Sequence, residues 1–571
     1  METIVVAICV AALLIIGVFL FNIFTKKQIL KQLAEKYGKP STRFYDERDF
    51  MSISQMFSMF PTKGKETVDD ITWFDLQMPI LYKQMNYSVS HIGDEYLYRH
   101  IRTQQYDELD RLEKHIQYFD AHPEERIKLQ YAFYHINLAT SVKQTTTLQT
   151  ENQTIGNSFF AHLKNSNLFP QISIIPPTVI LISAFLTCIF FFIFGIKNII
   201  SIVMLIVVFL GCLLYSDYFS NKTQNIFPTF KTFCVVINAS EQIAKLDSHV
   251  FDRELNSLIP VLKKLQKKSK LMNELVDICM MKNVLIVPLS IIAFLFGLYG
   301  FVYQWAVKII KNNTKEVMIS YESIGYIELC ISLSSYRKTL SYYCFPEFSK
   351  DTQTKFDELY HPLLQKPVTN SKTINQKLII TGANASGKST FIKTLAINAI
   401  TAQSINICYA KGFSLQHANI YTSMNLSDDI ATGDSFYMAE IKRLKGFLDS
   451  LDKGSYIMFF VDEILKGTNT IERIAAASTI LKRFTESNCF FCLATHDTEL
   501  TSILQHFYSN YHFEETTTDT EIFYDYKLYD GVTPGSNAIT LLKVMQYDQS
   551  IVDHAFKLAQ YYINNSKWGI L

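Results

Sequence analysis

Residues 378–391 read Leu-Ile-Ile-Thr-Gly-Ala-Asn-Ala-Ser-Gly-Lys-Ser-Thr-Phe. An apolar, β-branched run enters Gly382-x-x-x-x-Gly387-Lys388-Ser389, and an apolar helical pattern follows. A strand, a glycine-rich turn and a helix in that order make a P-loop, which demands a parallel sheet flanked by helices. Gly382 and Gly387 permit tight backbone geometry, so successive N–H groups can face phosphate oxygens. The helix adds the positive end of its dipole. Lys388 can neutralise the β and γ phosphates, and the Ser389 hydroxyl can ligate Mg²⁺.

Two further segments fit the same chemistry. Ser455 to Glu463 is an apolar strand ending in two acids. Asp462 is placed to share the Mg²⁺, and Glu463 to orient or deprotonate an attacking water. Cys489 to His496 is another buried-strand pattern with a polar end. In an open α/β sheet the ligand lies beyond the carboxyl ends of the strands, so His496 is a candidate contact for the γ-phosphate or the water.

Together these residues resemble the ATPase domain of the MutS family, within the ABC-type ATPases. His361-Pro362-Leu363-Leu364 opens the domain as in that family. Thr381 to Thr390 is similar to its P-loop, including Asn384. Ile420 to Glu440 resembles the family's signature segment, Asp462 to Thr470 its Walker B and D-loop run, and Ala494 to Leu500 its switch histidine segment. The likeness covers about residues 361–560 and continues more weakly upstream, where Gly93 to Arg102 resembles the start of the family's core and lever helices. It implies a nucleotide site built from Gly382, Asn384, Ser386, Gly387, Lys388, Ser389, Thr390 and Asp462, with ATP and Mg²⁺ bound. It implies Glu463 and His496 as catalytic residues. It also implies a dimer, with itself or with a related subunit, in which Ser435 of one subunit reaches the γ-phosphate of the other. There are departures. Asp434 stands where the family often has Arg, and Ala385-Ser386 replaces its usual Met-Gly. No segment resembles the mismatch-reading domain with its Phe-x-Glu wedge, and no nuclease-like tail follows the ATPase. ATP chemistry is therefore expected, DNA remains a candidate partner, and mismatch specificity is not expected.

The chain's 54 basic and 53 acidic side chains nearly cancel, so it lacks the overall basic field that nucleic-acid binding usually leaves. Cys489 and Cys492 are a close cysteine pair, but they sit in an apolar strand pattern and read as packing rather than redox or metal chemistry.

Apolar blocks add a membrane reading. Thr3 to Phe24 carries no charge and is long enough to cross a hydrocarbon core of roughly 30 Å. Lys26, Lys27 and Lys31 follow it and place the next residues in the cytosol by the positive-inside rule. A second block, Ile172 to Tyr215, reads as a hairpin of helices at about 173–196 and 199–215, broken at Lys197-Asn198, its second arm short. A third block, Val284 to Ala306, could span. With the N-terminus outside, a fourth crossing would put the ATPase outside; with the N-terminus inside, four crossings would put Lys26, Lys27 and the lysine-rich run 263–270 outside. This block is therefore expected to be a core or membrane-grazing helix that Pro288 begins or kinks.

The expected organisation is an N-terminal transmembrane helix (1–25), a juxtamembrane segment (26–84) and a first set of core and lever helices (85–170). A transmembrane hairpin (171–217) and returning helices (218–350) follow, then an α/β P-loop ATPase domain (351–571). Residues 144–158 read as a loop, 524–535 as a hairpin and 548–563 as a closing helix. The expected function is a membrane-anchored, MutS-related ATPase, multi-pass, with its ATPase domain in the cytoplasm and lipid as a partner. It would act on DNA or, alternatively, on a protein or lipid assembly.

Overall fold

The computed structural model describes the chain apart from residues 1, 44, 60–66, 104–105, 141–162, 164–168, 196–198, 224–225, 281–286, 296–297, 352, 384, 425–435, 452–453, 518–521, 534–537, 566 and 571. The chain divides into two compact units that interleave in sequence. One comprises Met1–Pro61, Met85–Arg99 and Lys114–Thr339, and the other Thr62–Gln84, His100–Glu113 and Leu340–Leu571. The expected loop at 144–158 lies outside the described residues.

The first unit is helical. Its helix Ile226–Ile243 packs against Pro123–Thr140, Asp252–Cys279 and Thr314–Arg337. In Asp252–Cys279 the apolar stripe Leu255, Leu258, Val261, Leu262 and Leu265 is buried, while Lys263, Lys264, Lys267, Lys268 and Lys270 are exposed. That lysine run is therefore a solvated face, tied at two points by Lys264 to Glu316 and Lys270 to Glu241. A buried carboxylate organises the middle of the unit. Glu328 accepts from the amides of Val89 (2.7 Å), Ser90 (3.0 Å) and Gly93 (3.1 Å), donors around the start of the helix His91–Arg102. Burial pushes this carboxyl up to about 7, against the pull of those amides.

The apolar blocks form long helices. Glu2–Lys36 is one continuous 35-residue helix. Ile175–Phe194 has 20 residues, and Ile199–Lys222 has 24, so the second hairpin arm is longer than its apolar run suggested. At about 1.5 Å per residue each arm reaches 30 Å or more. The described part of the third block lies in the helices Val287–Leu295, with Pro288 in its first turn, and Leu298–Asn312. Gly300 lies so close to the hairpin that a Cβ would sit 2.9 Å from Pro177 Cγ. Tyr303 donates to the Pro170 carbonyl at 2.6 Å, so this helix braces the hairpin's base.

The second unit carries two sheets. The smaller has strand order β1-β5-β2-β3, with β1 (Glu347–Phe348), β2 (Thr354–Leu359), β3 (Asn370–Ile374) and β5 (Gly412–Leu415). The larger has the order β10-β9-β4-β8-β7-β6: β4 (Lys377–Thr381), β6 (Asn419–Ser423), β7 (Ile457–Asp462), β8 (Phe490–Ala494), β9 (Ser509–Thr517) and β10 (Ile522–Asp530). From β9 to β6 all neighbours are parallel, and only β10 is antiparallel. The expected hairpin at 524–535 is corrected by this pairing. Residues 522–530 form the second arm of a β9–β10 hairpin, and their aromatic alternation pairs backward, not forward. The central strands are buried on both faces, as parallel strands must be. Phe459, Val461, Phe491 and Leu493 pack with Leu444, Phe447, Leu481 and Phe484 from flanking helices. Cys489 and Cys492 are buried free thiols, as packing residues should be.

The segment 67–84 belongs to this unit and docks on β6. Asp75 accepts from Thr422 Oγ1 (2.7 Å) and the Met424 amide (3.0 Å), and Arg443 pairs with Asp69 at 2.7 Å. These contacts lie hundreds of residues apart in sequence.

Gly93→Ala would place a Cβ 2.5 Å from Glu328 Oε2. It should destabilise the helical unit by about 1–3 kcal/mol, read as a lower urea midpoint by circular dichroism. An unchanged midpoint would contradict the role given to Glu328.

Candidate nucleotide site

The register of three parallel strands sets the site. Ile380 of β4 lies opposite Ala494 of β8, and Ala494 lies opposite Asp462 of β7. The chain leaves all three strands at one level. The Thr495 amide then donates to Ile380 O (3.0 Å), and the Glu463 amide to Ala494 O (2.8 Å). The turn after β4, the two acids after β7 and His496 after β8 are thus brought together. They line one cleft of about 570 Å³, which includes Ser386, Gly387, Lys388, Ser389, Thr390, Asp462, Glu463 and His496. Asn384 and Ser435 lie outside the described residues.

The turn is a cradle. Gly387 has φ +107° and precedes the helix Lys388–Ile405 as its N-cap. A Cβ on Gly387 would lie 3.1 Å from Tyr526 Cδ1, and one on Gly382 (φ +144°) 2.9 Å from Phe513 O. Both positions therefore need glycine for conformation and for space. Ala385 holds φ +64° without being glycine, a strained position of the kind that clusters at binding sites. Ser386 is buried, and its Oγ has no hydrogen-bond partner among the described residues. An orphaned hydroxyl inside a glycine-bounded turn at a helix N-terminus fits a bound anion.

The charges fit as well. Lys388 Nζ donates to the carbonyls of Gly382 and Ala383, both at 2.7 Å, and faces His496 Nε2 at 3.4 Å. Burial lowers its pKa, and Glu463 and Asp462 partly restore it; an added phosphate would act in the same restoring direction. Glu463 Oε1 stands 3.4 Å from the same His496 nitrogen. Burial raises the Glu463 pKa above the usual carboxylate value, with Lys466 opposing. His496 is pushed below its usual value by burial and then by Lys388. A neutral imidazole between an ammonium and a carboxylate results. Ser389 and Asp462 supply a hydroxyl and a carboxylate in the same cleft, the hard oxygen donors that Mg²⁺ takes alongside phosphate oxygens.

Several cleft residues escaped the sequence reading, Lys466 although it falls within the run resembling the Walker B and D-loop segment. Phe513 and Tyr526 come from β9 and β10, Asn370 from β3, and Lys466 from just beyond the acids. Arg473 forks onto Asp497 (2.8 and 2.7 Å), tying the His496 loop to the helix Thr470–Thr485. The Asn370 side chain donates to Tyr526 O at 3.0 Å and accepts from the Leu528 amide at 2.9 Å.

Residues 378–562 match the family described as MutS domain V. This segment carries the chain's likeness to the MutS family. Human MutS protein homolog 4 is 31% identical over 260 residues, covering 42% of this chain and 27% of that protein. The mouse MutS protein homolog 4 gives the same identity and coverage. The DNA mismatch repair protein MutS of Clostridium perfringens is 26% identical over 267 residues, 44% of this chain and 29% of that protein. The chain thus spans under a third of the length of these MutS relatives, and the matched segment holds the cleft residues from Ala383 to Tyr526, while Leu359 to Asn370 precede it.

Lys388→Ala should weaken ATP binding by at least ~10–100-fold, the loss expected for a charged phosphate contact. Titration of a fluorescent ATP analogue checks this, and parental affinity would contradict the cradle.

Proposed function

We propose that this protein is a membrane-anchored, MutS-related ATPase that binds MgATP in the 382–390 cradle and hydrolyses it. The observation that carries the reading is the convergence of Lys388, Glu463 and His496 in the cleft beside the glycine-bounded turn. The backbone of the turn and Lys388 would hold the triphosphate. Ser389 and Asp462 would hold Mg²⁺, which when bound offsets the negative charge of the phosphate oxygens. Glu463 would accept the proton of the attacking water, a role its raised pKa suits. His496, neutral near pH 7, would hydrogen-bond the γ-phosphate or the water.

By family resemblance, the site is completed by a second subunit through Ser435. ATP would then favour a closed dimer and hydrolysis would release it. Anchoring is supported by the hairpin. The best windows of Ile175–Phe194 and Ile199–Phe219 are only 22% and 17% buried, and side chains such as Phe185, Phe192, Ile199 and Leu214 are exposed. A water-soluble surface does not carry so large an apolar patch. With Glu2–Lys36 as a further span, the ATPase lies on the side of Lys26, Lys27 and Lys31, the cytoplasm.

What the motion acts on has two readings. The Clostridium perfringens relative is named a DNA mismatch repair protein, which points to DNA. The balanced charge favours a protein or lipid assembly at the membrane. Titration with duplex DNA separates them. The membrane reading predicts no change in hydrolysis rate and no salt-sensitive affinity, whereas affinity falling steeply with salt would establish DNA binding.

Glu463→Gln should keep nucleotide binding, lower kcat by about 10²–10⁴-fold and trap the dimer. In the parent, kcat should fall on acidification with a midpoint above that of an ordinary carboxylate, because the base must be ionised and its pKa is raised. Hydrolysis by the Gln variant at the parental rate would show that the base is misassigned.

A further inference from the structure

Glu463 stands in a backbone that a residue with a Cβ seldom adopts. Its φ is +64°, and two residues on Leu465 has φ +56°. Two left-handed residues in one four-residue turn are disfavoured in isolation, so contacts outside the turn must hold them. The first two turns of the helix Phe436–Leu451 provide these contacts. Glu440 is buried at 3% exposure, and its carboxylate accepts from the Leu465 amide. One turn earlier, Tyr437 packs on Gly467, where a Cβ would come within 2.8 Å of Tyr437 Cβ. Farther along the same helix, Arg443 pairs with Asp69 at 2.7 Å and donates to Thr422 O at 2.9 Å, so the helix is itself fixed to β6 and to the docked segment.

The contacts fall on one stretch. Glu440 and Tyr437 grip residues 465–467, directly after the two acids, and Lys466 lines the nucleotide cleft beside Glu463. Tyr437 and Glu440 are the closing residues of the segment resembling the family signature. Glu440 is not among the residues that line the cleft. One oxygen of its carboxylate is bonded to a backbone amide of the turn.

We infer that Glu440 is a positioning residue for hydrolysis: by accepting from the Leu465 amide it fixes the left-handed turn that aims Glu463 into the cleft. This rests on the reading of Glu463 as the base. It also gives the helix Phe436–Leu451 a direct mechanical hold on that base, so a displacement of the helix moves the Glu463 carboxylate while leaving the phosphate cradle untouched.

The test uses the full chain, with steady-state ATP hydrolysis and fluorescent-nucleotide binding measured side by side. Glu440→Ala should lower kcat by about 10–100-fold, the cost of an ångström-scale misplacement, with nucleotide affinity within about twofold of the parent. Glu440→Gln keeps a carbonyl oxygen for the Leu465 amide and should recover most of the rate. Gly467→Ala, which forces Tyr437 and the turn apart, should show the same split and serves where Glu440→Ala fails to fold. Parental kcat in both Glu440→Ala and Gly467→Ala overturns the inference, and so does loss of nucleotide affinity in step with kcat. Glu440→Gln as slow as Glu440→Ala also overturns it. The two readings separate cleanly. If Glu463→Gln is inactive while Glu440→Ala is normal, only the positioning role falls. If Glu463→Gln hydrolyses ATP normally, the base assignment falls and this inference with it.

Discussion

The parallel pairing of β4, β8 and β7 is the constraint on which the site depends. Ile380, Ala494 and Asp462 lie at one level across three adjacent strands. A slip of one residue would turn every side chain of a strand to the other face and carry its functional terminus out of line. The register is held by two-sided burial: Phe459, Val461, Phe491 and Leu493 on one face, and the helix Lys388–Ile405 in contact with β6, β7 and β8. The polar ends then have no freedom. Glu463 is held by the hydrogen bond its amide donates to Ala494 O, Thr495 by the one its amide donates to Ile380 O, and Asp497 by the Arg473 fork. Chemistry sits on loops here, but the loops are anchored at both sides by the sheet.

From that arrangement the electrostatics follow. Lys388, His496 and Glu463 share a half-buried cleft, and burial shifts each toward its neutral form. A triphosphate with its metal would reverse this for the lysine, supplying the opposite charge that burial makes scarce. The orphaned Ser386 hydroxyl and the left-handed Ala385 point the same way. The turn keeps a strained, under-satisfied conformation that an anion would complete.

How much was legible in the sequence divides along a physical line. The P-loop, the Asp462-Glu463 pair and His496 are local: each is a strand end with its polar residues attached, and the chemistry can be read from consecutive letters. Their meeting in one cleft follows from the parallel-sheet rule alone. The hairpin helices were legible too, because sustained hydropathy is a one-dimensional signal. Long-range pairs were not. Nothing in the sequence near Asp75 announces that it caps Thr422 and Met424, or near Gly93 that Glu328 lies against it. Tyr526 reaches the cleft through a β9–β10 pairing that the alternation of 524–530 led us to fold the other way. Residues 62–84 and 100–113 joined the α/β unit, although their composition is that of helices preceding it. Side-chain pairing across hundreds of residues is specified by shape and charge in three dimensions, and a sequence pattern carries only its projection.

Calorimetric titration of the full chain with ATP, in Mg²⁺ and again in chelator, tests the central claim most directly. One nucleotide bound per chain, with affinity that falls when Mg²⁺ is removed, is the result this account predicts. No binding in either condition, or binding indifferent to the metal, would contradict a triphosphate held by the 382–390 turn with its magnesium shared between Ser389 and Asp462.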